Sequence, residues 1–330
     1  MATTNNGNGG GGITALSIIN VVAYAANTLI VYGVGAVGLF QRIPTNAELS
    51  EKYQTIITPV SWTFAIWAII FGSQLLFAIT QLLWGRVRND LLVTRGVAYN
   101  YVWVCLAQIG WTLTFGFEII YGSVAAMTLI LVFLVLILRR QQYVIVHQEQ
   151  KQQEQQQSTS LSSSIISFVF ARFPFAIHAG WIVAAWFLNV SVLLVDLGVS
   201  AEGQTIAAYV SLGGLLVASL IALWGRPKKT GPGRTSEYVA PLAIAWASFG
   251  IYAELDNPKD KITNAFSDNN VSNIQNGAFY ASIIIVALVV LVFLWNVIAS
   301  FRGGRNNEAE EGGGTYVKTD KDGMIPSTTV

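Results

Sequence analysis

The chain has 330 residues, of which only 11% are charged, against about 25% in an ordinary soluble domain, and its formal net charge is +1. With a mean hydropathy of +0.52, this composition excludes a soluble two-domain protein and points to an all-α, polytopic transmembrane bundle in contact with the lipid bilayer. The small net charge argues against a nucleic-acid partner, and the single cysteine, Cys105, excludes an intramolecular disulfide and a cysteine-built metal cluster.

The opening residues, MATTNNGNGGGG, carry no charge and lack the basic start of a signal peptide. Segment 1–12 is therefore read as a disordered N-terminus, and the first helix as its own insertion signal. Eight apolar runs follow, at roughly 13–40, 57–84, 97–120, 122–138, 165–195, 203–224, 238–255 and 277–300. A helix needs about 20 apolar residues to cross a bilayer core of about 30 Å. Runs three and four are separated only by Tyr121, Gly122 and Ser123, which reads as a tight helical hairpin. Gln141 to Ser164 is rich in Gln and Ser, has no apolar period, and reads as a disordered inner loop. The tail 303–330 also reads as disordered. Its end, Thr328-Thr329-Val330, suits either a plain solvated terminus or capture of the free carboxylate by a PDZ-type partner.

Charge sets the expected orientation. Thirteen cations, among them Arg86, Arg88, Arg139, Arg140, Arg172, Arg226 and Arg302, fall on one side of the alternating runs. Arg42, Lys52, Lys259 and Lys261 fall on the other. The positive-inside rule then places both termini in the cytoplasm or its equivalent, without indicating the organelle. Asn270-Val271-Ser272 is a glycosylation sequon in the last outer loop, whereas Asn189-Val190-Ser191 lies within run five and is out of reach.

Ionisable groups inside a membrane are costly and usually functional. Few are present. Glu118 lies near the outer end of run three, Arg172 can snorkel from the inner end of run five, and His178 is deeper. His147 is in the Gln-rich loop, so no second histidine accompanies His178 for metal or haem-iron ligation. No run contains a lysine, which excludes a retinal Schiff base, and no chain of Asp, Glu or His suggests a proton or ion pump. No nucleophile–base pair or phosphate-cradling loop is visible, so the expectation is a protein without enzyme activity, metal or covalent cofactor.

Aromatic surface remains. All ten tryptophans lie in a run or at its edge, and Trp103, Trp111, Trp181 and Trp186 take interior positions. Such indoles either pack neighbours or line a cavity for a flat apolar ligand. Thr58 to Phe71, TPVSWTFAIWAIIF, opens run two with Pro59, Trp62, Phe64 and Trp67. Arg172 to Asn189, RFPFAIHAGWIVAAWFLN, sets Pro174 inside an apolar run, where it should kink the helix. Gly180 and Ala184 give that helix a small face for close approach, and Asn189 needs an interhelical partner.

These residues resemble the tryptophan-rich sensory protein family, the TspO and translocator-protein group. Pro59, Trp62, Phe64 and Trp67 look like the entry to its second helix, and Gln108 and Trp111 like the Gln and Trp of its third. Pro174, Phe175, Trp181, Ala185, Leu188 and Asn189 resemble its fifth-helix pattern. The three-residue step from Phe64 to Trp67 and the longer distance from Pro174 to Trp181 depart from the compact members and look like the longer, divergent branch of the family. The resemblance covers roughly 13–200, a five-helix membrane domain that contains the inner loop 141–164, and leaves 201–302 as three additional helices. It implies a pocket for a tetrapyrrole, a sterol or a similar flat molecule, lidded by Gln41–Ile57. The candidate ligand-binding residues are Trp62, Trp67, Gln108, Trp111, Phe175, His178, Trp181 and Asn189, the last as a polar tie; a homodimer is left open.

Three functions from different classes follow: a binding or sensory protein for a flat hydrophobic ligand, a secondary transporter of a neutral or lipidic solute, or a membrane scaffold acting through loop and tail.

Overall fold

The computed structural model describes residues 12–38, 43–154, 161–227 and 234–312. Eight long helices make up the bundle. They are α1 (Ala15–Ile30), α2 (Ile66–Leu83), α3 (Asn100–Gly116), α4 (Ile120–Glu154), α5 (Phe173–Asp196), α6 (Ala201–Trp224), α7 (Val239–Asp256) and α8 (Asp268–Gly312). Six of these helical segments are long and apolar enough to cross a membrane. Two of the six, Ala15–Ala36 and Ser61–Leu83, reach that length with the turns adjoining α1 and α2; the two other helices, α3 with 17 residues and α7 with 18, are packed within the bundle. The apolar runs thus correspond to eight helices of an all-α bundle. The described strand content is a two-residue antiparallel pair, Arg226–Pro227 with Arg234–Thr235.

Local chemistry sets the helix starts. Thr14 caps α1 by accepting from the Ser17 N–H, and Ser200 does the same for α6 through Gly203. Between α1 and α2 a short helix, Asn46–Lys52, begins on a capping box in which Thr45 and Glu48 satisfy each other's backbone. Three π-helical turns interrupt the regular ladder, at Val31–Ala36, Leu92–Val97 and Phe168–Arg172.

Several expectations are corrected in detail. Pro174 does not kink the middle of a helix; it occupies the first turn of α5, directly after a π turn, where a missing N–H leaves no partner unsatisfied. The α3–α4 hairpin turns at Phe117–Ile119, not at Tyr121–Ser123, because Glu118 takes the left-handed conformation at φ 59. Ser123 is buried in the first turns of α4. The Gln-rich segment is helical as far as Glu154. Gln141 and Gln142 are buried there and donate to the carbonyls of Ala171 and Thr235 at 2.5 and 2.6 Å, so these polar residues tie chain segments together instead of meeting solvent. Helix α8 likewise continues to Gly312. Residues 1–11, 155–160 and 313–330, with the Thr328–Val330 end, lie outside the described residues. Asn270 lies in the opening turns of α8, beside the buried Val271, and not in a loop.

The last three helices are built into the bundle. A Cβ on Gly180 of α5 would come within 2.2 Å of the Ala240 carbonyl oxygen of α7, so the two backbones are in contact there. A Cβ on Gly250 would stand 2.2 Å from Thr63 Oγ1, at the entry to α2. The Val60 N–H donates to the Gly250 carbonyl at 3.1 Å, and Trp246 Nε1 donates to the Thr63 carbonyl at 2.9 Å. The proline–tryptophan entry to α2 is thus clasped by α7.

Candidate functional site

A cavity of about 650 Å³ opens where α1, α2, α3, α5 and α7 meet beneath the Asn46–Lys52 helix. Its size is within the range of small-molecule sites. Trp67 and Phe71, four residues apart on α2, present one face to it. Trp111 and Phe115 of α3, and Trp181, Ala185, Leu188 and Asn189 of α5, form further wall. Tyr32 and Gly35 border it from the π turn that follows α1, Met127 from α4, and Glu254 from α7.

The rings hold one another at edge-on angles. Trp181 meets Phe64 at 5.5 Å and Trp67 at 6.1 Å, both T-shaped, while Trp111 stacks on Phe115 at 5.3 Å. Each such pair adds about 0.5–1.5 kcal/mol beyond area burial. Trp111 is further fixed by its indole N–H, which donates to Asn189 Oδ1 at 3.1 Å. The Asn189 amide nitrogen then donates to Ser123 Oγ at 3.1 Å. Asn189 therefore connects α3, α4 and α5, the polar tie its buried position demands.

The other sequence candidates lie off the cavity wall. Trp62 is 42% exposed and packs on Trp246 and Phe249 of α7. Gln108 accepts from Asn27 Nδ2 at 3.1 Å and joins α1 to α3. Phe175 is fully buried in an aromatic cluster with Phe77 and Tyr101. His178 sits behind Trp67, with ring centroids 5.7 Å apart. Tyr101 donates its hydroxyl to Gln74 Oε1, so the Gln74 amide nitrogen, 2.9 Å from His178 Nδ1, is the donor in that contact. Among the tryptophans read as interior, Trp186 donates to Thr128 on α4 at 2.9 Å, and Trp103 is 53% exposed, stacked on Phe133. The structure thus brings Trp67, Trp111, Trp181 and Asn189 to one cavity and leaves Trp62, Gln108, Phe175 and His178 as its support.

The segment expected as a lid, Gln41–Ile57, covers the cavity through Asn46, Ala47, Ser50, Glu51 and Tyr53, with residues 39–42 outside the described set. Gly35 faces this helix, and a Cβ there would be 2.7 Å from the side-chain Nδ2 of Asn46. The lid is latched to the α3–α4 turn: Glu118 pairs with Lys52 and accepts from the Tyr53 hydroxyl at 2.6 Å. Hydrogen bonding from Lys52, then from Tyr53, holds the Glu118 carboxyl below its ordinary value. The same carboxylate pushes the Tyr53 phenol upward.

A depressed carboxyl contributes stability that is present above its unfolded value and lost as pH falls through the folded one. The latch is therefore expected to hold from neutral pH through the usual glutamate range and to loosen only below it. Hydrogen exchange of Asn46–Lys52 checks this. Glu118→Gln should speed exchange at pH 7 by less than about fivefold, because the pair is solvent-exposed, and should remove the acid-dependent step.

Sequence reasoning missed Glu254, Gln54 and the lining role of α7. A carboxylate in the last turn of an apolar run looks like any interfacial residue, and nothing local says that its helix borders a cavity.

A family model described as TSPO-like protein matches residues 17–295, well past residue 200 and across most of the last three helices. No curated protein and no solved structure matches the chain.

Proposed function

This chain belongs to the TSPO-like protein family, and on that premise we propose that it is a multi-pass membrane protein that binds a flat hydrophobic ligand, such as a sterol or a tetrapyrrole. The role is binding, for sensing or trafficking, and not catalysis. One observation carries the reading: three indoles from three different helices, Trp67, Trp111 and Trp181, border a cavity of about 650 Å³ under a latched lid. Flat rings offer a planar guest stacking and edge contacts, and the guest loses little conformational entropy on entry.

The distribution of cations among the loops supports a lid on the outer side of the membrane, with ligand entry from that side or from the lipid. Purified protein in nanodiscs, titrated with protoporphyrin IX and with a fluorescent sterol, is expected to show saturable tryptophan quenching or energy transfer. Trp67→Ala or Trp181→Ala should weaken binding of whichever probe binds by about tenfold, the loss of one or two aromatic contacts. Absence of saturable signal with both probes, or affinities unmoved by both substitutions, rejects the reading.

A further inference from the structure

The cavity wall carries two carboxylates, and they differ in burial. Glu51 of the lid helix is exposed, whereas Glu254 of α7 is only 8% exposed. Gly250, one turn before Glu254, lies against Thr63 and accepts from Val60, so this end of α7 is fixed against the entry to α2. Glu254 Oε1 accepts from Gln54 Nε2 at 2.9 Å. Its second carboxylate oxygen receives no hydrogen bond from the described residues, and Lys259 stands on the same wall. Elsewhere on the wall the indole N–H of Trp181, a residue 2% exposed, has no acceptor among the described residues. Buried polar groups without partners call for an explanation, and a guest carrying both a donor and an acceptor supplies one.

We infer, resting on the reading of the cavity as a ligand site, that Glu254, held in place by the Gln54 amide, forms its polar end and selects a flat ligand bearing a neutral hydroxyl. A hydroxyl donates to the free carboxylate oxygen without bringing a further charge onto the wall. A tetrapyrrole dicarboxylate instead brings like charge towards Glu254 and Glu51, offset in part by Lys259 on the same wall. The selectivity comes from α7, a helix outside the five-helix core that carries the family-like tryptophans.

The test uses the full chain in nanodiscs with three probes: dehydroergosterol, its 3-acetate ester and protoporphyrin IX. The wild type is expected to bind the hydroxy sterol about tenfold or more tightly than the acetate, the span of one hydrogen bond to an ionised group. Glu254→Leu should erase that preference and improve porphyrin binding. Glu254→Gln keeps the shape and an acceptor for Gln54, and should narrow the preference to about threefold; it guards against a variant that simply fails to fold. A hydroxyl preference unchanged in both variants, equal wild-type binding of alcohol and ester, or binding of the porphyrin alone overturns the assignment of Glu254 while leaving the cavity a ligand site. Binding of none of the three overturns both.

Discussion

Arg172→Met is expected to lower the stability of the folded bundle by about 3–5 kcal/mol, the cost of leaving a buried charge without its partner. Arg172 Nη2 lies 2.6 Å from Glu237 Oε2, with side-chain exposures of 10% and 8%. Glu237 also accepts from the Val239 N–H at 3.0 Å, so the same carboxylate caps α7. The pair joins the start of α5 to the start of α7 at the end of the bundle away from the lid. In the single variant the carboxylate keeps only the helix terminus as compensation, worth about 0.3–1 kcal/mol. Arg172→Met with Glu237→Leu should recover much of the loss, since a well-packed apolar pair is often as stable as a buried ion pair. Unfolding in mixed micelles, measured for both singles and the double, gives the coupling directly. A loss below about 1 kcal/mol in each single variant would show that the pair behaves as a solvated surface bridge.

Gly180→Val is expected to cost about 3 kcal/mol or more, at the upper end of overpacking effects. The reason is geometric. The first added carbon would stand 2.2 Å from the Ala240 carbonyl oxygen and 2.7 Å from its Cα, both backbone atoms that cannot rotate away. The helices must separate, and α7 carries Glu254 and clasps the entry to α2, so ligand binding should fall along with thermal stability. Gly213, where an added carbon meets nothing within 4 Å, is the control: Gly213→Val should change stability by less than about 1 kcal/mol. Equal melting temperatures for Gly180→Val and wild type would contradict the close α5–α7 contact.

Both predictions rest on α7, and α7 was the helix whose part in the site could not be read from its residues. Its run, Val239–Asp256, shows apolar composition with small residues and nothing that names a neighbour. Gly180 does announce a close approach, because a small face on a membrane helix is of little use otherwise. It does not say which helix approaches. Trp62 and Trp67 make the same point within one stretch. Both stand in the family-like entry to α2, yet Trp67 borders the cavity while Trp62 turns to Trp246 and Phe249.

The sequence by itself determined the fold class, the positions of the helices and the family. In hydrocarbon every backbone N–H and C=O must be satisfied within its own segment, so a long apolar run has little choice but helix. It also marked the residues that need partners, such as Asn189 and Arg172, because burying an amide or a charge alone is too costly to persist. Only the tertiary structure decided who those partners are, which indoles face a common hollow, and that a carboxylate from the seventh helix stands at its mouth. Helix rotation and packing between segments far apart in the chain settle those matters, and they depend on the shapes of several surfaces at once, a quantity no single segment carries.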